Sequence, residues 1–211
     1  MSTLILTALL IAIALLGGAL VWRWVSRRVA LPCPPALVWS LEHRIMQEVA
    51  GSDAILQRAG IASGMRVLDA GCGPGRLTLP LARCVGPAGE VVALDVQAEM
   101  LARLELRLKQ QGITNVRMLH ASLGSGALGR EQFDRVIMVT VLGEIPNRLA
   151  ALREVHDALK PGGLLSVTEL LPDPHYQSRR EVRRLGEQAG FAIEPAWSNW
   201  RAYTLNLIRM P

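Results

Sequence analysis

The fold class is indicated by residues 67–75, which read Val67-Leu68-Asp69-Ala70-Gly71-Cys72-Gly73-Pro74-Gly75. An apolar run of strand length ends in an acid, and a glycine-rich turn follows it directly. Glycine is needed where the backbone approaches a ligand closely and adopts dihedral angles that other residues avoid. In an open α/β sheet, ligands bind at the carboxyl ends of the strands. The segment therefore predicts a strand, a ligand-binding turn and the start of a helix.

Two common glycine motifs do not fit this turn. A dinucleotide-binding fingerprint would read G-x-G-x-x-G, whereas Gly71, Gly73 and Gly75 read G-x-G-x-G and are followed by Arg76. The Lys-Ser/Thr ending of a phosphate-binding P-loop is also missing from this sequence. Neither a nicotinamide dinucleotide nor a nucleoside triphosphate is therefore the preferred ligand.

Further apolar runs downstream alternate with helical patterns. The sequence predicts five central strands, at 67–70, 91–95, 116–119, 135–139 and 164–168. It predicts helices at 76–85, 97–111, 147–159 and 178–189, then an antiparallel pair of strands at about 191–197 and 201–208. This alternation is typical of a parallel sheet with helices on both faces. We expect an α/β fold, a Rossmann-like, doubly wound and mostly parallel seven-stranded sheet, preceded by a single N-terminal transmembrane helix.

The first part of the chain predicts that transmembrane helix. No charged side chain occurs from Thr3 to Trp22, and a helix of this length spans about 30 Å, the hydrocarbon thickness of a bilayer. Aromatic and basic residues end the run, at Trp22, Arg23, Trp24, Arg27 and Arg28. We favour an anchor over a cleaved signal peptide because no basic segment precedes the apolar run. The positive-inside rule then predicts a single-pass membrane protein with its catalytic domain facing the cytoplasm.

Prolines follow the anchor, at Pro32, Pro34 and Pro35, and indicate a stiff linker. Helical patterns occur next at 36–50 and at 52–60, the second capped by Ser52 and ended by Gly60. We therefore divide the chain into an anchor at 1–24, a juxtamembrane linker with lid helices at 25–60, and a cofactor-binding domain at 61–211.

Composition excludes several classes of protein. Half of the 211 residues are hydrophobic and 19% are charged, which excludes a disordered chain and a small disulfide scaffold. The three cysteines lack the spacing of a metal site, so no metal is expected. The net charge of +5 comes without the dense basic stripe of a nucleic-acid binder, so no nucleic-acid partner is expected. The densest basic cluster is either a solvated helix face or a contact with anionic lipid headgroups, and comprises Arg179, Arg180, Arg183 and Arg184.

Residues 67–75 resemble the first motif of class I S-adenosylmethionine-dependent methyltransferases. Further features match that family in the same order, namely Asp95 at the end of the second strand, Met100 within 95–101, and the segments 112–116, 133–134 and 159–163. The resemblance covers about residues 60–170. It is greatest to the ubiquinone/menaquinone-biosynthesis and small-molecule or phospholipid methyltransferase group, whose segment after strand four is similar to residues 144–147.

The resemblance implies S-adenosyl-L-methionine as cofactor. It assigns the amino-acid part of the cofactor to Asp69, Gly71 and Gly73 and the ribose hydroxyls to Asp95. The adenine contact is assigned to Ser122, where the family often has an acid. The whole predicted cofactor site comprises Asp69, Gly71, Cys72, Gly73, Gly75, Asp95, Val96, Met100 and Ser122. As alternatives, Asp69 could cap a strand end and Asp95 could cap a helix.

A general base is needed only if the acceptor must lose a proton during methyl transfer. The candidates follow strands four and five, and are Thr140, Glu144, Glu169, His175 and Tyr176. From these we select Glu144, His175 and Tyr176 as the candidate catalytic residues. The family often has a histidine just before the position of Glu144, where this chain has Gly143.

The expected activity is methyl transfer from S-adenosylmethionine to a lipid-like or hydrophobic small molecule, since the anchor places the domain where such acceptors dissolve. Membrane lipids are expected as partners. Two alternatives stay open, a catalytically silent methyltransferase-like scaffold in a membrane complex and a protein or RNA methyltransferase.

Overall fold

The computed structural model describes residues 51–171 and 173–211, together with residues 5–7, 10 and 17. The predicted linker and the predicted helix at 36–50 lie outside the described residues, and so does most of the predicted anchor. None of the helices in the described part of the chain has the length and apolar character needed to cross a membrane.

Seven strands and five α-helices are described between Ser52 and Ile208. The strands are β1 (Arg66–Ala70), β2 (Glu90–Asp95), β3 (Val116–His120), β4 (Phe133–Val139), β5 (Leu159–Leu170), β6 (Ala192–Ser198) and β7 (Ala202–Ile208). The helices are α1 (Ser52–Arg58), α2 (Thr78–Val85), α3 (Ala98–Gln110), α4 (Arg148–Ala158) and α5 (Arg179–Gln188). A short 3₁₀ helix at Leu142–Glu144 follows β4. Each predicted strand and helix from residue 52 onward is present, with ends shifted by a few residues.

The strands form one mixed sheet in the order β3-β2-β1-β4-β5-β7-β6. Strands β1 to β5 are parallel, whereas β7 runs antiparallel to both β5 and β6. The predicted Rossmann-like sheet with a closing antiparallel pair is therefore confirmed. The strand order reverses between β1 and β4, and such a reversal leaves a crevice for ligands at the carboxyl ends of the strands.

The core lies on both faces of the sheet because β1 and β4 are buried on both sides. Successive side chains of a strand point to opposite faces. Leu68 and Val136 accordingly pack in the cluster that contains α4 and α5. Val67 and Ile137 pack on the other face, in the cluster that contains α1 and α2. This double burial explains why the central strands are continuous apolar runs in the sequence.

The prediction that Ser52 caps α1 is wrong. The N-cap residue is Gly51, and no side chain accepts a hydrogen bond from the first turn. The helix begins one residue too early for the Ser52 hydroxyl to serve this role, and that hydroxyl instead donates to Asp53 Oδ1 at 3.4 Å. The predicted end is confirmed, since Gly60 follows the helix with a φ of 60°.

Strand β5 also begins earlier than predicted. Residues 159–163 resemble the family's turn before the fifth strand, but Leu159 already pairs with Phe133 of β4. Gly162 then donates its N–H to the carbonyl of Arg209 at 2.9 Å. Contacts with the distant end of the chain therefore extend the strand beyond its apolar run.

Gly75, the last glycine of the turn after β1, packs closely against side chains of two helices. Its φ is +93°, and a Cβ atom added there would lie 2.4 Å from Leu104 Cδ1 and 2.7 Å from Leu79 Cδ1. Leu79 belongs to α2 and Leu104 to α3. Any larger side chain would therefore force the buried side chains of Leu79 and Leu104 to move.

Replacing Gly75 by alanine should lower the free energy of unfolding by about 2–5 kcal/mol. Left-handed backbone strain contributes about 1–2 kcal/mol and overpacking about 1–3 kcal/mol. Gly112 is the matched control, because its φ is +63° and an added Cβ would meet no atom within 4 Å. Gly112→Ala should therefore cost only the strain, about 1–2 kcal/mol. Urea unfolding of both variants measures the difference, and equal losses would contradict the packing role.

Candidate cofactor and active site

Hydrogen bonds tie the glycine-rich turn after β1 to the end of β2. The N–H groups of Gly71 and Cys72 donate to the carbonyl of Leu94 at 2.8 and 2.9 Å. The N–H of Gly73 donates to Oδ2 of Asp95 at 2.8 Å. The turn and the acid on the neighbouring strand are thereby held as one rigid unit.

The first two glycines of the turn have different surroundings. Both adopt positive φ, +74° at Gly71 and +52° at Gly73. A Cβ at Gly71 would lie 2.4 Å from Val141 Cγ2, whereas a Cβ at Gly73 would meet no atom within 4 Å. Gly71 is therefore required by packing, and Gly73 borders the open space in which a ligand can approach the backbone.

Asp95 is buried, and each of its two carboxylate oxygens accepts a hydrogen bond from a backbone N–H. In addition to the bond from Gly73, its Oδ1 accepts the N–H of Gln97 at 2.8 Å. Gln97 is the N-cap residue of α3, so Asp95 supports the start of that helix. This role is similar to helix capping, which the sequence analysis gives as the alternative for Asp95. Each carboxylate oxygen can accept a second hydrogen bond, so both remain able to accept from ribose hydroxyls.

Asp69 is buried beneath the turn, and burial raises its pKa to about 6. The hydroxyl of Thr78, in the first turn of α2, donates to Oδ2 of Asp69 at 2.6 Å and opposes that rise, because it favours the ionised form. Thr78 is absent from the predicted site, since a threonine inside a helical pattern gives no sign of its partner. A cationic group bound next to Asp69 would favour the charged carboxylate further.

The other predicted cofactor residues divide into exposed and packed ones. Val96 is 48% exposed directly after β2. Ser122 is exposed after β3 and lies near Asp95, whose carbonyl accepts the N–H of Ala121 at 3.2 Å. Cys72 and Met100 are buried, and burial raises the pKa of the Cys72 thiol. These two residues, like Gly75, support the site from within the fold.

The chain after β4 passes through an unusual backbone conformation. Thr140 has a φ of +55°, which a β-branched residue rarely adopts. Its N–H donates to the carbonyl of Thr168 at 2.9 Å, which ties this strained residue to β5. Strained residues that the surrounding structure enforces are concentrated at functional sites.

The 3₁₀ helix that follows is fixed by Arg148. The guanidinium donates to the carbonyls of Leu142 and Gly143, both at 3.1 Å. Glu144, one of the predicted catalytic residues, ends this helix with its side chain 20% exposed. Arg148 was not predicted as a site residue, because its role depends on backbone carbonyls of another turn.

The structure brings together Glu144 and His175, two of the three candidate catalytic residues, which follow the adjacent strands β4 and β5. Nδ1 of His175 lies 3.9 Å from Oε1 of Glu144 and 3.8 Å from Oδ1 of Asp173. His175 is buried, and its backbone N–H donates to Oδ1 of Asp173 at 2.6 Å. Asp173 is thus a third member of this acid–imidazole group, which the sequence analysis missed.

Gly143 makes this arrangement possible. A Cβ atom at this position would lie 1.9 Å from the carbonyl oxygen of His175. The family's histidine cannot occupy the position while the 173–178 segment lies against it. The departure at Gly143 is therefore coupled to the presence of His175 beside Glu144.

Tyr176, the third predicted catalytic residue, packs inward. Its ring meets that of Tyr203 edge to face, with 6.0 Å between centroids. Partial burial, together with the nearby Glu169 carboxyl, raises the pKa of Tyr176. Tyr203 donates its hydroxyl to the carbonyl of Gln177 at 2.7 Å, so the two tyrosines fix the segment that carries His175.

Glu169, a candidate base that is not among the three selected catalytic residues, has the most buried carboxyl of this part of the site. It is 1% exposed near the end of β5. Its Oε2 accepts the N–H of Gln177 at 3.1 Å, and its Oε1 has no hydrogen-bond partner within the described part of the chain. Burial raises its pKa to about 8, so the carboxyl keeps its proton at neutral pH. In the sequence, the only sign of this role is that an acidic residue stands between two residues of strand character, Thr168 and Leu170.

Among residues 51–171 and 173–211, with the few described positions before them, no cluster of three or more His, Cys, Asp or Glu side chains is arranged to hold a metal ion. The described site is instead a backbone turn with buried carboxyl groups on one side and an acid–imidazole group on the other.

Residues 67–163 match the family model described as a methyltransferase domain. The chain is 34% identical over 110 residues to the demethylmenaquinone methyltransferase of Geobacillus kaustophilus, a match that covers 52% of this chain and 47% of that protein. It is 34% identical over 118 residues to the ubiquinone/menaquinone biosynthesis C-methyltransferase UbiE of Coxiella burnetii, covering 56% and 47%. The chain thus spans about half the length of these curated relatives.

Solved structures share the fold. A crystal structure of a SAM dependent methyltransferase from Aquifex aeolicus has a TM-score of 0.78 and 24% identity, covering 85% of this chain and 100% of that one. The cyclase SpnF has a TM-score of 0.62 at 24% identity, covering 69% and 59%. The family match supports the predicted methyltransferase domain with S-adenosylmethionine as its cofactor, whereas the fold alone also serves a protein named for a different reaction.

The raised pKa of Glu169 predicts a pH-dependent effect of Glu169→Gln on stability. The unfolded glutamate ionises near pH 4.3, whereas the folded one ionises at about 8. Between these values the unfolded state releases a proton that the folded state retains, so the parent protein loses stability as pH rises. Glutamine does not titrate. The variant should therefore gain stability relative to the parent from pH 5 to pH 8.

Urea unfolding of parent and variant at pH 5 and pH 8 measures this change. Glu181→Gln is the control, because Arg184 at 2.6 Å lowers the pKa of Glu181 and keeps it ionised at both pH values. The difference in the free energy of unfolding between Glu181→Gln and the parent should therefore be the same at pH 5 and at pH 8. A constant difference for Glu169→Gln as well would show that the Glu169 carboxyl is already ionised in the folded protein at pH 5.

Proposed function

We propose that this chain is a membrane-anchored methyltransferase that moves a methyl group from S-adenosylmethionine to a hydrophobic small molecule of the quinone-biosynthesis type. The observation that carries the proposal is the bond from the Gly73 N–H to Asp95. This bond fixes the Asp95 carboxylate next to the glycine-rich turn, at the carboxyl ends of the parallel strands. The turn has open space beside Gly73, where a ligand can approach.

The residues at this edge fit the donor. S-adenosylmethionine supplies a methyl group already activated by a sulfonium centre, so the chain has mainly to position it. Asp95 offers carboxylate oxygens to ribose hydroxyls, and the missing side chain at Gly73 leaves space beside the turn for the amino-acid part. Asp69, whose pKa is about 6, is ionised at neutral pH and attracts the cationic amino group.

The acceptor side of the site is formed by the segments after β4 and β5. Glu144 retains partial exposure beside the buried His175, so this pair is positioned to take a proton if the acceptor must release one. Tyr176 holds the segment that carries His175 in place. The names of the curated relatives support a quinone-type acceptor, which is a hydrophobic molecule found in membranes.

Membrane anchoring is proposed from the uncharged run between Thr3 and Trp22. Three described residues of that run, Ile5, Leu6 and Leu10, are helical and 56%, 60% and 57% exposed. The basic residues after the run support a single-pass protein with its catalytic domain in the cytoplasm. An anchor would hold the site at the surface where a hydrophobic acceptor is dissolved.

A catalytically silent scaffold is the second candidate. Ser122 stands where the family often has an acid for the adenine, and Gly143 stands where it often has a histidine. A chain with these departures could bind S-adenosylmethionine and still transfer no methyl group.

The fate of a labelled methyl group tests the proposed function. Full-length protein is incubated with methyl-labelled S-adenosylmethionine and membrane extract, and the products are partitioned between organic solvent and the protein and RNA fractions. We expect label in the organic phase, because the acceptor is a hydrophobic small molecule. Label in the protein or RNA fraction would contradict the acceptor class. Cofactor binding by calorimetry without any transfer would establish the silent scaffold.

Asp95→Asn should weaken S-adenosylmethionine binding about tenfold or more, since hydrogen bonds to a charged acceptor contribute about 1.5–3 kcal/mol. Because Asp95 also braces the turn, the parent and variant are compared with S-adenosylhomocysteine and its 2′-deoxy analogue. If Asp95 accepts from the ribose, the substitution should weaken the deoxy analogue much less. If calorimetry shows the same loss of affinity for both ligands, Asp95 only stabilises the turn and does not bind the ribose.

A further inference from the structure

We propose that the turn between β6 and β7 and the residues beside it form a surface that docks on an anionic phospholipid membrane. The docking surface comprises Leu171, Arg179, Arg180, Trp200 and Arg201. It extends the proposed function, on which it rests for the location of the acceptor, by naming the part of the folded domain that faces the bilayer.

The apolar part of the docking surface is Trp200 with Leu171. Trp200 is 75% exposed and Leu171 is 40% exposed. They are neighbours in space, because the N–H of Leu171 donates to the carbonyl of Arg201 at 2.7 Å. Tryptophan favours the membrane–water interface, where its ring contacts acyl chains while its N–H stays hydrated.

Arginines surround this apolar pair. The guanidinium of Arg201 lies 4.0 Å from the centroid of the Trp200 ring. Arg179 donates to the Ser198 hydroxyl at 3.4 Å, which brings the exposed start of α5, with Arg180, next to the turn. The nearby Glu181 carboxylate is engaged by Arg184 at 2.6 Å. The docking surface therefore carries a positive charge suited to anionic headgroups.

The topology puts this surface at the active-site edge of the sheet. Leu170, the last residue of β5, pairs with Ala202, the first residue of β7. The β6–β7 turn therefore lies at the same edge as the carboxyl ends of the parallel strands. An acceptor that leaves the bilayer at the docking surface would reach Glu144 and His175 from the adjacent side of this edge.

A membrane fits the docking surface better than a protein partner does. Two exposed apolar side chains fall far short of the roughly 800 Å² that each partner buries in a stable protein interface. A bilayer needs no such shape-matched area, and the predicted anchor at Thr3–Trp22 would hold the domain close to it. Weak contacts suffice when a tether keeps the local concentration high.

Tryptophan quenching by brominated lipids tests the proposal on the full-length chain. The chain is reconstituted into vesicles of phosphatidylcholine alone or of equal parts phosphatidylcholine and phosphatidylglycerol. Subtracting the fluorescence emission spectrum of Trp200→Phe from that of the parent gives the emission of Trp200 alone. We expect this emission to shift to shorter wavelength and to be quenched roughly twofold or more with phosphatidylglycerol, and much less without it.

Two matched controls accompany this measurement. Trp197 is half-buried, with the Arg58 guanidinium 3.8 Å from its ring centroid, so the emission lost in Trp197→Phe should not be quenched. Arg180→Glu should weaken the quenching of Trp200 roughly fivefold, whereas Arg130→Glu should leave it unchanged. Arg130 is also exposed, but it precedes β4 and so lies at the opposite edge of the sheet.

Absence of Trp200 quenching in both kinds of vesicle would overturn the proposal. So would equal quenching with and without phosphatidylglycerol, since the arginines would then have no role. A shift of Trp200 emission to shorter wavelength only when other membrane proteins are present, without quenching by lipid, would assign the surface to a protein partner instead. None of these readouts requires methyl transfer, so a failure of the proposed activity is recognised separately in the labelled-methyl assay.

Discussion

The hydrogen bond from the Gly73 N–H to the Asp95 carboxylate is the constraint on which the cofactor side of this site depends. It couples the turn after β1 to the acid that ends β2, and the same acid supports the start of α3 through Gln97. Gly73 makes this bond from a backbone with positive φ, and Gly71 and Gly75 allow Val141, Leu79 and Leu104 to pack against the turn. The same short turn therefore leaves space for a ligand at Gly73 and packs against the core at Gly71 and Gly75.

The proposed acceptor side depends on a different steric condition, the absence of a side chain at Gly143. The carbonyl of His175 occupies the space that a Cβ would need, so the segment after β5 can lie on the segment after β4. Glu169 and Tyr203 then fix this segment from below through the two backbone groups of Gln177. A buried acid that keeps its proton at neutral pH can serve as such a support without an uncompensated charge.

The sequence predicted what depends on local pattern and missed what depends on contacts that form only in the folded chain. Strands and helices from residue 52 onward were predicted because apolar runs and helical periods reflect burial directly. The three glycines of the turn look alike in sequence, yet only Gly73 borders open space, since the neighbours of Gly71 and Gly75 come from other elements. Thr78, Arg148 and Asp173 lie close in sequence to their partners, but they were missed because their contacts depend on the folded backbone and not on a residue pattern. The cap expected from Ser52 is replaced by Gly51.

The antiparallel placement of β7 decides what can face the site from the outer part of the sheet. Had β7 run parallel to β5, its connection from β6 would lie at the amino-end edge, away from Asp95 and Glu144. Because β7 starts beside the end of β5, the turn that carries Trp200 joins the carboxyl-end edge instead. A single edge thereby presents the cofactor turn, the acid–imidazole group and the most exposed large apolar side chain of the described residues. If the acceptor dissolves in a bilayer, as we propose, this arrangement shortens its path from the lipid to the methyl donor.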